Sequence, residues 1–343
     1  MNGSPRRFDE EGRRFMIEEV WETFKEAKNI VIVSPAPPDV DSICSCLLLD
    51  KLFSHRGMGI PRPHQFFCAQ KPTARDNTLL KFVEPKLDLF FSTLPTEYIM
   101  PLLIVIVDYG SFNTCGITPR EMPYHYFIGL DEHPGPIEDF PINGIQLCDP
   151  RMPSTTALIY EMFRQKCFPI TQEIATYVAL GIMADTGRMT NSKANVHAFR
   201  IMTDCLNKGI LWEEIQEAAA PKMTPQRLEV WIKAKEYLNY QTNFVSLIVY
   251  KKTLTAWGGT KKDIETFFGT YMCALEGIDI AVLIYEQDDG TWKISFRSKG
   301  KRNNQAAELA KKFGGGGHSN AAIAIYQGVP FDAERMTISF LQE

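Results

Sequence analysis

Residues 30–42 read Ile30-Val31-Ile32-Val33-Ser34-Pro35-Ala36-Pro37-Pro38-Asp39-Val40-Asp41-Ser42. The apolar, β-branched start of this stretch does not alternate, so it predicts a strand buried on both faces. Upstream, Phe15, Val20 and Phe24 recur at helical spacing over residues 8–28. Downstream, short apolar runs at 65–68, 87–91, 102–107 and 126–130 are separated by helical or loop-like stretches. Repetition of such runs points to an α/β fold whose parallel sheet is covered on both sides. Ligands of such sheets sit beyond the carboxyl ends of the strands.

What stands at those ends is acidic. Run 30–33 leads into Asp39 and Asp41, run 102–107 ends at Asp108, and run 126–130 ends at Asp131-Glu132-His133. Asp185 follows a helix-like stretch at 174–180, in Gly181-Ile182-Met183-Ala184-Asp185-Thr186-Gly187-Arg188. A lone Asp is most simply a helix cap or turn residue. Repetition on one sheet edge fits hard divalent cations, which prefer carboxylate oxygen and can clamp a phosphoryl group in pairs roughly 3.5–4 Å apart.

Length favours two cores, since 343 residues exceed the usual single domain. Residues 1–194 make the first domain, 195–240 a helical connector ending in an amphipathic 224–240 segment, and 241–343 a smaller α/β domain. The latter predicts strands at 244–250, 278–285, 291–296 and 321–326, helices at 261–275 and 304–313, and a turn at Gln287-Asp288-Asp289-Gly290. Between the last helix and strand lies Gly314-Gly315-Gly316-Gly317-His318, where backbone N–H groups can approach an anion without obstruction from side chains. Arg297-Ser298 closes the strand before it, and arginine holds phosphate in bidentate fashion or stacks on a base.

Hydrophobic residues at 45% and charged residues at 23% are ordinary globular values, and no apolar run reaches the ~18–20 residues of a membrane span. The polar start, residues 1–14, has no apolar signal core and predicts a cytoplasmic protein. The eight cysteines are scattered in apolar context, which reads as reduced thiols, with the Cys44/Cys46 pair lacking a second pair to complete a zinc site. A net charge of −4 argues against gripping long duplexes. Lys293, Arg297, Lys299, Lys301, Arg302, Lys311 and Lys312, opposed by Glu308, nonetheless concentrate positive charge beside the glycine run. The sequence is compatible with an oligomer.

Together, Pro38-Asp39-x-Asp41-Ser42-Ile43-x-Ser45, Val107-Asp108, Asp131-Glu132-His133, Asp185-Thr186-Gly187 and Phe313-Gly314-Gly315-Gly316-Gly317-His318-x-x-Ala321-Ala322 resemble the ordered motifs of the DHH/DHHA1 phosphoesterases. The resemblance spans nearly the whole chain and is nearest to the RecJ-like group of nanoRNases and adenosine 3′,5′-bisphosphate (pAp) phosphatases. It implies a mainly parallel DHH domain and a smaller DHHA1 domain with an active-site cleft between them. It also implies one or two Mn²⁺ ions, or Mg²⁺, on Asp39, Asp41, Asp108, Glu132 and Asp185. By the same resemblance Asp108 and His133 are catalytic, His133 contacting or protonating the scissile phosphate. Arg297, Ser298, Gly315, Gly316, Gly317 and His318 would bind the nucleotide end of a short oligonucleotide or nucleotide bisphosphate.

Two positions depart from the metal-binding motifs and a third from the glycine motif. Pro35 stands where the family has a metal-binding His, and Glu132 replaces another. Ile323 takes the place of a small residue after the glycine run. His55, His64, His125 and His197 lie outside the motifs. The residues therefore predict a metal-dependent phosphoesterase. Alternatives are a nucleotide-binding homologue with weakened or lost catalysis, polyphosphate or pyrophosphate as the substrate, and, last, an interaction scaffold.

Overall fold

A computed structural model describes residues 10–55, 63–72, 78–92, 102–110, 112–118, 125–133, 140–141, 143–220, 223–299, 305–318 and 320–342. Phe8 of the first helical pattern, and Lys301, Arg302 and Asn304 of the basic segment, lie outside the described residues. The chain divides into two compact units, 1–220 and 221–343.

The first unit is built on a parallel sheet of β1 (Ile30–Ser34), β2 (His64–Cys68), β3 (Phe90–Phe91), β4 (Leu103–Val107), β5 (Tyr126–Asp131) and β6 (Gly144–Cys148), in the order β3-β2-β1-β4-β5-β6. Alternation along β1 explains its unbroken apolar run. Ile30 and Ile32 pack into one core with α1 (Glu10–Glu26), α2 (Val40–Ser54), α3 (Thr155–Gln165), α4 (Gln172–Asp185) and α5 (Val196–Asn207), whereas Val31 and Val33 enter a second core with Tyr109, Phe112 and Phe127. All four are fully buried, so each side of the sheet removes apolar surface from water at ~25 cal/mol per Å². The chain progresses outward from β1 in both directions, which makes the carboxyl ends of β1 and β4 a topological switch point.

Two sequence-based expectations change here. Residues 87–89 belong to a 3-10 helix, Thr78–Leu89, and only Phe90–Phe91 is strand. Strand β6, unmarked by a long apolar run, completes the edge beside β5. The segment expected to connect the domains is also divided. α5 and α6 (Trp212–Ala219) fall in the first unit, and α7 (Pro225–Lys235) falls in the second.

The second unit carries a mixed sheet of β7 (Asn239–Gln241), β8 (Phe244–Val249), β9 (Ile280–Glu286), β10 (Trp292–Ser298), β11 (Gly316–His318) and β12 (Ala321–Tyr326), ordered β11-β12-β10-β9-β8-β7. α10 (Ala306–Lys312) and α11 (Pro330–Gln342) belong to the core formed by Phe244, Ile280, Ile294 and Ala322 on one face. The opposite core holds α7, α9 (Lys261–Thr270), Val245 and Leu283, with α8 (Lys251–Ala256) beside it. That second cover does not extend over β12, where Ile323 and Ile325 stay exposed. The glycine run is only in part a loop, because Gly316–His318 pairs with Ala321–Ile323.

Candidate functional site

The carboxyl edge of the first sheet gathers acid. Asp108 follows β4 with a left-handed φ of +49°, Asp131 ends β5, and Glu132 and His133 follow it. Ligand atoms of Asp108, Asp131, Glu132 and His133 lie within 4.8 Å of one another, as do those of Asp41, Glu132 and Asp185. Glu132 is common to both sets.

Asp41 enters from the first turn of α2 and is fully buried. Its carboxylate accepts Thr155 N (2.7 Å), Thr156 N (3.1 Å) and the Thr156 hydroxyl (2.7 Å). The α3 N-terminus, capped by Ser154, thus points its unpaired amides at a carboxylate. Gly181 of α4 makes room for this, since a Cβ there would stand 2.2 Å from Asp41 Oδ1. Asp39 is held differently. It is exposed and caps α2, accepting Ser42 N at 2.9 Å in a reciprocal box, and it joins neither set.

Asp131 acts as a holder. Its Oδ1 accepts Glu132 N at 3.0 Å and lies 2.8 Å from His133 Nδ1. That bond raises His133 to about 8 against the opposing effect of burial, with Glu132 adding to the rise. The Glu132 carboxylate accepts the Thr155 hydroxyl (2.5 Å) and Lys193 Nζ (2.9 Å). Burial would raise Glu132, but Lys193, His133 and the Thr155 hydroxyl outweigh it and hold the acid at about 2. Lys193 Nζ also lies 2.6 Å from Asp185 Oδ2. Asp185 is nevertheless pushed up to about 7, by burial first and then by Glu132. Burial and the neighbouring acids raise Asp41 and Asp108 well above the ordinary range.

Behind burial, the raised acids Asp41, Asp108 and Asp185 share a second cause. The carboxylates of Asp41, Asp108, Asp131, Glu132 and Asp185 outnumber the cations among them, Lys193 and His133. Excess negative charge on oxygen donors beside an imidazole fits a hard divalent cation. Glu132, bonded to Thr155 and Lys193, belongs to both sets, but the set around Asp108 suits the ion better, because Asp41 and Asp185 of the other set also accept from Thr155, Thr156 and Lys193.

Pro35 offers no side-chain donor, and its carbonyl accepts Cys68 Sγ at 3.3 Å. Two of the spare histidines, His125 and His64, have structural partners. His125 Nδ1 accepts Leu102 N, and His64 pairs with Asp50.

In the second unit Arg297 is exposed, with its guanidinium 5.6 Å from the Phe268 ring centroid. It faces Ala321 across β10–β12, and Ala321 faces His318 across β12–β11. Arg297 and His318 thus hold matched register positions on either side of Ala321. Ser298 is buried and accepts Ala306 N, tying β10 to α10. Gly315 packs where a Cβ would meet the Ile323 carbonyl at 2.1 Å, and Gly317 meets Ala322 similarly.

Sequence reasoning did not single out Lys193, Thr155, Thr156 or Gly181. Lys193 and the threonines act through contacts distant in sequence, up to 115 residues for Thr156 and Asp41. No local pattern carried that signal.

Comparison with known proteins agrees with this layout. The DHH family N-terminal domain matches residues 29–182, and the DHHA1 domain matches residues 244–335. A bifunctional oligoribonuclease and PAP phosphatase, NrnA of Thermus thermophilus, is 25% identical over 215 residues, covering 57% of this chain and 62% of that protein. The matched region thus spans less than two thirds of that relative. An uncharacterized MG371 homolog of Mycoplasma pneumoniae is 24% identical over 254 residues, 69% of this chain and 71% of that protein. Among solved structures, an exopolyphosphatase-related protein from Bacteroides fragilis has a TM-score of 0.80 at 23% identity, covering 96% of both chains. Exonuclease RecJ bound to manganese has a TM-score of 0.50 at 16% identity, covering 95% of this chain and 93% of that one. At these identities the likeness concerns the fold. With both domain models matched in order over most of its length, the chain belongs to the DHH/DHHA1 family.

Proposed function

We propose that this protein is a metal-dependent phosphoesterase acting on short oligonucleotides or nucleotide bisphosphates, with Mn²⁺ as the preferred ion and Mg²⁺ as a substitute. The observation that carries the reading is the convergence of Asp108, Asp131, Glu132 and His133 at the carboxyl ends of β4 and β5, with three carboxylates against one imidazole. Asp108 and Glu132 would hold the ion, with Asp41 and Asp185 adding to the negative field. When bound, the ion supplies Lewis acidity toward a phosphoryl oxygen. His133, oriented by Asp131 and 3.7 Å from Asp108, is placed to donate a proton to the leaving oxygen. Arg297 and the β11 edge would bind the nucleotide end, and the activity named for the Thermus relative supports that substrate class.

A second reading, a nucleotide-binding homologue without turnover, draws on Pro35 and on the lysine already bonded within the acidic group. One assay panel separates the two. Purified protein with Mn²⁺ should release phosphate from pAp and mononucleotide from dinucleotides, and should act more slowly on polyphosphate and pyrophosphate. Binding of pAp without turnover under any divalent ion would favour the second reading.

A further inference from the structure

Lys193 Nζ lies 2.6 Å from Asp185 Oδ2 and 2.9 Å from Glu132 Oε1. These carboxylates and Asp41 form the second of the two sets able to surround a cation. Asp41 in turn accepts from Thr155 N, Thr156 N and the Thr156 hydroxyl. A divalent ion in that set would compete for oxygens already engaged and would stand against an ammonium charge.

The lysine is delivered there by a tight turn. After Asp185 ends α4, Gly187, Arg188 and Met189 take φ of +55°, +65° and +62°. Thr190 N and Asn191 N both donate to Thr186 O. The Asn191 side chain then bridges the turn, donating to Asp185 O at 2.8 Å and accepting Lys193 N at 2.9 Å. The side chain is about one third exposed, so the ammonium faces both the acids and solvent. Among the described residues Lys193 Nζ donates to the Asp185 and Glu132 carboxylates, and an ammonium has three N–H donors, which leaves one for an incoming anion.

We propose that Lys193 is a built-in cation standing in place of a second metal ion at Asp185 and Glu132, so that the first unit binds one divalent ion, at the Asp108 set. The inference rests on the metal-dependent reading above and concerns how its positive charge is divided. An ammonium is a compact point charge that can meet a phosphate oxygen as a metal does, with one charge where the ion has two.

Metal stoichiometry tests this without recourse to activity. Calorimetric titration with Mn²⁺ should give one ion per wild-type chain, two for Lys193→Met, and one for Lys193→Arg. Two ions on the wild type, or an unchanged single ion on a folded Lys193→Met, would overturn the proposal. Should Lys193→Met fail to fold, Mn²⁺ anomalous scattering from wild-type crystals decides alone. One peak with Nζ still on Asp185 supports the proposal, and two peaks with the lysine displaced refute it. A wild type that binds no ion would overturn the one-ion assignment along with the phosphoesterase reading, whereas a wild type that binds one ion without turning any substrate over would sink that reading alone.

Discussion

Gly181 of α4 leaves the space that the Asp41 carboxylate of α2 occupies, since a Cβ on Gly181 would come within 2.2 Å of both Asp41 Oδ1 and the Thr156 hydroxyl oxygen. The glycine lets the two helices hold a carboxylate between them and the α3 N-terminus. Gly181→Ala should therefore destabilise the fold by about 1–3 kcal/mol through overpacking, despite alanine's better helix propensity. It should also weaken Mn²⁺ binding. Thermal unfolding and metal titration check this, and a stabilised variant with unchanged binding would contradict it.

The acidic group predicts how stability responds to pH without metal. Asp185 is raised from an ordinary 3.8 to about 7, and His133 from 6.5 to about 8. The folded chain thus keeps protons that the unfolded chain has released. The contribution of each group is fully present below its unfolded value and is lost as pH rises through its folded value. Glu132, held at about 2 below its ordinary 4.5, has the opposite sign, and its contribution is lost only in acid. The midpoint of thermal unfolding in chelator should fall between about pH 5 and pH 8. Saturating Mn²⁺ should shrink that fall, because the ion binds the deprotonated acids. A midpoint that rises over this range in chelator would contradict the assignment.

The second unit should govern affinity more than turnover. Arg297→Ala removes an exposed guanidinium beside the β11 edge, and a charge-assisted hydrogen bond to phosphate is worth ~1.5–3 kcal/mol. KM for pAp should rise about tenfold or more with kcat little changed, since ~1.4 kcal/mol is a factor of ten. An equal loss in kcat alone would place Arg297 in the chemical step.

Neighbouring glycines should differ. Gly315→Ala drives a Cβ into the Ile323 carbonyl, whereas a Cβ on Gly316 meets nothing within 4 Å. Gly315→Ala should cost about 1–3 kcal/mol and weaken nucleotide binding, while Gly316→Ala should stay within about 0.5 kcal/mol of wild type. Equal effects in denaturant unfolding would show that packing on β12 is not what the glycine run is for.

These particulars mark how far the sequence was legible. The first sheet could be read because Ile30, Val31, Ile32 and Val33 serve two cores at once, which forces an unbroken apolar run. Strand β6 escaped notice because Gly144, Ile145 and Gln146 are only half-buried and the run is short. The glycine run reads as a loop, since glycine carries no strand preference, yet three of its backbone positions pair with β12. Asp108, Asp131 and Glu132 were visible as strand ends. Lys193 was not, because its place depends on a left-handed turn that lets it fold back on Asp185.

The most direct test is hydrolysis of a dinucleotide as Mn²⁺ is titrated against chelator, with wild type and Asp108→Asn side by side. The wild type should release mononucleotide in a saturable, metal-dependent way, and Asp108→Asn should lose at least about a hundredfold, in keeping with removal of one electrostatic contact to the reacting group. Release that is indifferent to metal, or a fully active Asp108→Asn chain, would contradict it.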